Sequence, residues 1–465
     1  MSILTDSQSA LIRQFMASND VPGVAITMVR DGHIIHAGGV GCADMHSGRA
    51  AGADSLWPIA SITKSFTAVL AMQLVEEGLL DLDAPVSDYL ADLVVVDQAT
   101  TARLSMRRLL THTTGLGRTG HQDRTREETV NPFPTREALV AALHTALAQA
   151  PVGGRFSYSN ESFVVAGRVI ETLRDKPLEA CLEDHVFKPL GMSRTVARFS
   201  QWRADADRAV LYAGSGIGPY GSGTRHGDYE VVELVTDYQT FLSTGGIAST
   251  ANDLARYQLA SMDRYNSALG LSGNSLHHMQ STQHLFGDCG WGYGLGYWVM
   301  PMQGGRVVGH SGGLPGVSTY SMMLPDEGTG VVVLTNRSDV KAMVLAEQLL
   351  GDLRGPLWRD DITQALPIES RWGNPSAAEL APYTGTYQFR RGPAQVRAAA
   401  RGVIINTPSR YDGPNRDLPT CRVARDRFVC LSDAHVIEFL RDDEDRIVGF
   451  ANSGYLYTRT DQATG

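Results

Sequence analysis

Residues 57–68 read WPIASITKSFTA, and the apolar run they open continues to Gly78. Ile62, Phe66, Val69, Leu70 and Leu74 recur at helical spacing, which predicts a long helix after Pro58 with Gly78 as its C-cap. Ser61 and Lys64 stand three residues apart at the start of that helix, so they share a face about one turn apart and their side chains can meet. A hydroxyl beside an amine is a nucleophile beside a base, provided the amine is neutral. The ordinary lysine value of about 10.4 has to fall by roughly 2–3 units for Lys64 to serve near neutrality. Burial among apolar helices and nearby positive charge both act in that direction. The helix N-terminus favours negative charge developing at Ser61.

Upstream, VAITMVRDGHIIHAGGVG (24–41) alternates about Asp31-Gly32, a hairpin signal. Downstream, helical patterns dominate to about residue 195, and 212–228 (YAGSGIGPYGSGTRHGD) read as a polar Gly-rich loop. Strand-like runs return after Trp291 as GLGYWVM, RVVGH, STYSMML and GVVVLTN, and a last helix is expected near 339–353. Strands at both ends with helices between them predict an α+β domain over 1–354, an antiparallel sheet carrying a helical lobe. Pro356, Pro367 and Pro375 punctuate a linker over 355–378. Beyond it, YTGTYQF, VRAAARGVIINT, RFVCL, HVIEFL, RIVGF and GYLYTRT predict a small antiparallel β-barrel or sandwich over 379–465.

Composition narrows the function. A chain of 465 residues exceeds what one core usually supports, and 43% hydrophobic with 20% charged residues is ordinary globular material. The net charge of −9 and the lack of a basic run argue against nucleic acid or anionic membrane as a partner. No run approaches the roughly 18 apolar residues of a spanning helix. The first residues carry Asp6 and no apolar leader, and the five scattered cysteines include no CxxC pair, so a cytoplasmic protein with reduced thiols is expected. Cys421 and Cys430 are placed to face each other across a hairpin. No metal site is expected: HExxH is absent, and His33 and His36 fall on opposite faces of a strand.

Two more elements accompany Ser61 and Lys64: Tyr158-Ser159-Asn160, and His310-Ser311-Gly312-Gly313 on a strand. SITK, YSN and HSG in this order, with the phrases EEGLLDLDAPVSDYL, LLTHTTGL, FSYSNESFVVAGRVIE, PLGMSRT, GGIASTANDLARY and WGYGLGYWV, resemble the serine β-lactamase and penicillin-binding-protein superfamily, in its class C-related esterase and D-aminopeptidase branches. The similarity covers about residues 8–352. It implies that Ser61 becomes acylated and that Lys64 and Tyr158 share the proton. Asn160 would hold Lys64 and the substrate amide, and the N–H groups of Ser61 and Gly313 would form the oxyanion hole. His310 takes the family's lysine position, as in D-aminopeptidases and some carboxylesterases, which puts strong recognition of a substrate carboxylate in doubt. His112, Ser311, Gly312 and Tyr220 are candidate substrate contacts, with Tyr212 and Tyr229 also placed to rim the acyl pocket. Glu379–Tyr387 (ELAPYTGTY) resembles the lipocalin-like domain appended to such enzymes.

The resemblance implies hydrolysis of an amide or ester through acyl-Ser61, without metal or cofactor, with short D-amino-acid-containing peptides as the leading substrates. A carboxylesterase, an acyltransferase or peptide cyclase in secondary metabolism, and a non-catalytic acyl-binding protein are the alternatives. Self-association into a homo-oligomer is left open. Two rival motifs stand in the same chain. Gly309-His310-Ser311-Gly312-Gly313 satisfies G-x-S-x-G, which needs a strand before it and a helix after it. Ser338-Asp339-Val340-Lys341 repeats S-x-x-K, where Ser338 is expected to be the N-cap of a surface helix.

Overall fold

The computed structural model describes residues 4–116, 135–145, 152–154, 156–214, 221–234, 239–263, 267–285, 292–302, 305–338, 340–354, 375–389, 392–407, 416–430, 436–452 and 455–460. The chain divides into two compact units, one holding a helix-flanked sheet and the other a barrel.

The larger unit is organised on a nine-stranded sheet. Its strands in chain order are β1 (Gly23–Arg30), β2 (His33–Asp44), β3 (Arg49–Ala50), β4 (His284–Leu285), β5 (Gly292–Tyr293), β6 (Trp298–Met302), β7 (Gly305–Leu314), β8 (Val317–Leu324) and β9 (Thr329–Thr335). Across the sheet they run β3-β2-β1-β9-β8-β7-β6-β5-β4. The two ends of the unit meet at its centre, where β1 pairs antiparallel with β9 from Val24↔Thr335 to Val29↔Gly330. Both strands are buried along almost their whole length, as the uninterrupted apolar runs VAITMV and VVVL require of a sheet covered on both faces. Helices α1 (Asp6–Asn19) and α2 (Ala342–Arg354), at the two ends of the unit, pack on each other, and α2 packs on β8 and β9. The helix Ala251–Met262 packs on β1, β2 and β9. The Asp31-Gly32 turn is a two-residue hairpin with both residues at positive φ (52° and 74°), the conformation that Asp-Gly accommodates.

The helix Thr63–Glu76 runs through the middle of the helical lobe, and every residue from Thr63 to Leu74 is buried. A helix buried on all sides is a core element rather than a surface one, and Lys64, Ser65, Thr67 and Gln73 are buried with its apolar residues. It ends as expected, with Gly78 at φ 71°. Its start differs: Ser61 lies in a 3₁₀ turn, Ala60–Ile62, immediately before the α-helix.

Two expectations need correction. The Gly-rich stretch is partly regular, since Leu211–Ala213, Gly221–His226 and Tyr229–Val232 form a small sheet with Leu211–Ala213 fully buried. Helix α2 begins at Ala342, so Ser338 is not its N-cap; Ser338 N–H donates to Tyr212 O at 3.4 Å. Cys421 and Cys430 are free thiols, each set against another residue across the strand pair, Cys430 against Thr420 and Cys421 against Val429.

The second unit is a closed eight-stranded antiparallel barrel, β10 (Gly385–Phe389), β11 (Gly392–Ala399), β12 (Gly402–Thr407), β13 (Arg416–Ala424), β14 (Arg427–Cys430), β15 (Val436–Arg441), β16 (Ile447–Asn452) and β17 (Tyr455–Arg459). Pairing of Tyr387 with Arg459 and Gln388 with Thr458 closes it. Tyr383, Tyr387, Phe428, Phe439, Phe450 and Tyr457 pack in its core, with neighbouring ring centroids 4.3–5.9 Å apart.

Candidate active site

Ser61 sits where the buried helix meets the sheet. Ala60 before it holds φ 49°, a left-handed conformation uncommon for a residue with a Cβ. The turn is pinned from two sides: Ile59 N–H donates to Ile247 O (3.0 Å), and Thr319 Oγ1 on β8 donates to Ile59 O (3.0 Å). Gly312 on β7 makes the close approach possible. A Cβ there would lie 2.1 Å from Thr319 Oγ1 and 2.3 Å from Ile59 O.

Lys64, one turn along, is 0% exposed. Its Nζ lies 3.1 Å from Ser61 Oγ and donates to Thr244 O at 2.9 Å. The amine also stands 4.9 Å from the Tyr158 ring centre and 5.5 Å from that of Phe163. The amine is thus out of water, against two rings, with a hydroxyl and a carbonyl as polar neighbours. The Thr244 carbonyl belongs to the short helix Leu242–Gly245, which Thr67 Oγ1 ties down by donating to Ser243 O (2.8 Å).

Tyr158 lies in the segment leading into the helix Asn160–Arg174, whose N-cap Ser159 accepts from Ser162 N–H. Asn160 is the first residue of that helix. Aromatic groups wall Tyr158 in: Trp298 is nearly parallel at 6.3 Å (3°), His310 is at 6.2 Å and His112 at 4.2 Å between ring centres.

His310 is 1% exposed on β7, and both ring nitrogens are taken. Nδ1 donates to the carbonyl of Ser311 (2.6 Å), which leaves Nε2 to accept from Tyr293 Oη (2.8 Å). Burial, reinforced by the charge of Lys64, drives its pKa down to about 3, against the opposing effect of the Ser311 bond. Burial likewise pushes the Tyr293 hydroxyl well above its ordinary value, so it stays a donor. His310 is a neutral imidazole held in one tautomer.

The structure therefore brings Ser61, Lys64, Tyr158 and His310 together, and sets Gly312 against the turn that carries Ser61. Ser311 is exposed on β7, and Gly313, half-buried, follows on the same strand. His112 departs from its expected place as a substrate contact. It is 0% exposed and lies behind Tyr158, because its ring nitrogen accepts a backbone N–H. Tyr212 is buried: its Oη accepts from Met45 N–H at 2.7 Å and donates to Asp44 Oδ1 at 3.5 Å. Tyr229 Oη donates to Asp20 O (3.0 Å). Tyr220 lies outside the described residues. The G-x-S-x-G alternative fails on context, since β7 passes through a turn directly into β8 and no helix follows. Among the described residues no cluster of His, Cys, Asp and Glu has the makings of a metal site, and no helix is long and apolar enough to cross a membrane.

Two participants escaped sequence reasoning. Thr244 contributes through its backbone, which carries no side-chain signature. Tyr293 and Trp298 read as strand packing, and they are packed, but Tyr293 also bonds His310.

Residues 9–353 match the family described as Beta-lactamase. Penicillin-binding protein 4 of Amycolatopsis lactamdurans is 27% identical over 386 residues, 80% of this chain and 94% of that one. The D-alanyl-D-alanine-carboxypeptidase/endopeptidase AmpH of Escherichia coli K12 is 28% identical over 295 residues, 61% of this chain and 72% of that one. The octameric penicillin-binding protein homologue from Pyrococcus abyssi superposes with a TM-score of 0.66 at 25% identity, covering 98% of this chain and 100% of that one. The chain belongs to the β-lactamase family of serine hydrolase-like proteins.

Proposed function

We propose that this protein hydrolyses amide bonds in short peptides containing D-amino acids, through an acyl-enzyme on Ser61. The observation that carries the proposal is the 3.1 Å contact between Ser61 Oγ and a lysine amine excluded from water. Lys64 in its neutral form takes the Ser61 proton as Oγ attacks the carbonyl. Tyr158, over whose ring the amine lies, relays a proton to the departing amine. Water then attacks the acyl-serine ester, and the same groups run in reverse to release the acid. Asn160 orients the substrate amide, and the N–H groups of Ser61 and Gly313 receive the oxyanion, each donor contributing about 3 kcal/mol in sites of this kind.

His310 supports the choice of substrate. Where a lysine would offer a cation to a substrate carboxylate, this imidazole is neutral with both nitrogens engaged. A scissile bond with no carboxylate beside it, such as a primary amide or the bond after an N-terminal D-residue, suits the site better than one beside a C-terminal free acid. The name of the E. coli relative, a D-alanyl-D-alanine carboxypeptidase/endopeptidase, supports D-configured substrates, and the octameric archaeal homologue supports self-association. Labelling with an activated p-nitrophenyl phosphonate, mapped by peptide mass spectrometry, tests the nucleophile. Label on the Ser61 peptide that vanishes in Ser61→Ala and persists in Ser311→Ala is expected; label on Ser311 would refute the proposal.

A further inference from the structure

Sequence reasoning placed His112 among the substrate contacts, and its burial removes it from that role. Its bonds point to another. Tyr158 is flanked by Ser157 and Ser159, and both of those backbone N–H groups end on the same residue: Ser157 N–H donates to His112 O (2.7 Å) and Ser159 N–H to His112 Nδ1 (3.1 Å). The imidazole lies 4.2 Å from the Tyr158 ring and 5.0 Å from those of Phe163 and Tyr293. His112 itself holds φ 56°, in the left-handed region, so its side chain and carbonyl reach the same segment. A non-glycine residue in that region costs free energy that the surrounding structure has to offset. Below it, Gly153 N–H donates to Thr113 O (2.7 Å), extending the same contact line.

We infer that His112 is a positioning residue that clamps the backbone on both sides of Tyr158 and so sets the hydroxyl against Ser61 and Lys64. The inference rests on the proposed role of Tyr158. Because Nδ1 accepts the Ser159 N–H, the ring is the Nε2–H tautomer, and asparagine is its nearest substitute. Asparagine tolerates the left-handed backbone and presents Oδ1 near the place of Nδ1. Leucine keeps the volume without the acceptor, and glycine keeps the backbone conformation without the acceptor.

A double-mutant cycle on p-nitrophenyl acetate hydrolysis separates positioning from general loss of structure. The variants are His112→Leu, His112→Gly and His112→Asn, each in the wild-type and Tyr158→Phe backgrounds, with thermal melts run alongside. In the wild-type background, whichever of His112→Leu and His112→Gly melts cooperatively is expected to lose about 100-fold in kcat, the scale of a small misplacement of a reacting group. His112→Asn is expected to recover at least about tenfold of that loss, since it restores one hydrogen bond. In the Tyr158→Phe background the same substitutions are expected to change kcat by less than about threefold, because the group being positioned is gone. Equal losses in both backgrounds, or no rescue by asparagine, overturn this inference while leaving the role of Tyr158 intact. A Tyr158→Phe enzyme as active as the wild type overturns both.

Discussion

Of the basic groups around Tyr158, one lies on the helical side of the site and one on the sheet, and the two invite comparison. Lys64 and His310 are equally excluded from water, yet their bonds differ in kind. The lysine amine reaches the Ser61 hydroxyl, the proposed nucleophile, and the Thr244 carbonyl. The imidazole donates to its own strand and accepts from a tyrosine whose hydroxyl burial keeps protonated, so its proton cannot leave without breaking the pair. Burial alone therefore does not make a base catalytic. What matters is whether its partners include the atom that must lose a proton. In the proposed mechanism the helical corner does the proton transfer and the sheet corner holds geometry.

The contrast is broken most severely by pushing the two corners apart. Gly312→Ala puts a methyl group within 2.1 Å of Thr319 Oγ1 and 2.3 Å of the Ile59 carbonyl, so β7 must retreat from the turn bearing Ser61. The expected result is a fall of about 100-fold in kcat/KM for an activated ester, with phosphonate labelling still confined to Ser61. An unchanged kcat/KM would mean that the sheet corner does not set the site's geometry.

Tyr293→Phe sharpens the comparison by opening the sheet corner alone. It leaves the buried His310 Nε2 without its donor, and a stability loss of about 1–3 kcal/mol is expected in urea melts. Because Lys64 keeps its partners, kcat should fall less than tenfold. A loss of stability near zero would show that the Tyr293 bond contributes nothing.

At neutral pH the remaining effect is silent, and it shows only as pH falls. His310 stays neutral in the folded state down to about pH 3, whereas an unfolded imidazole gains a proton near 6.5. Between those values the unfolded chain binds more protons, so stability is present above about pH 6.5 and is lost as pH falls toward 3. His310→Gln is expected to remove up to one proton's worth of that slope, about 1.4 kcal/mol per pH unit. A slope identical to the wild type would contradict the neutral, locked imidazole.

Which parts of this were legible in the residues follows from how local each signal is. Ser61 and Lys64 are joined by one helical turn, and the Asp31-Gly32 hairpin needs only two residues, so both could be read directly. Tyr158, Asn160 and His310 became candidates through family phrases, because nothing local marks a tyrosine as facing a lysine 94 positions earlier. Barrel closure depends on the first and last strands pairing, Tyr387 with Arg459, a contact that strand patterns do not encode; the barrel reading drew on the likeness of residues 379–387 to a lipocalin-like domain. Tyr212 misled because its glycine neighbours suggested an exposed loop, while its own strand pairs with Tyr229–Val232 and is buried. Histidine at 112 signalled chemistry, yet its bonds are to backbone.

The division of labour between the corners is tested most directly by single-turnover acylation with p-nitrophenyl acetate, comparing Lys64→Met with His310→Gln at one pH. Loss of a positioned base predicts a fall of about 10³-fold for Lys64→Met, and loss of one hydrogen bond predicts about tenfold for His310→Gln. Equal losses, or the reverse order, would contradict the assignment of Lys64 as the group that takes the proton from Ser61.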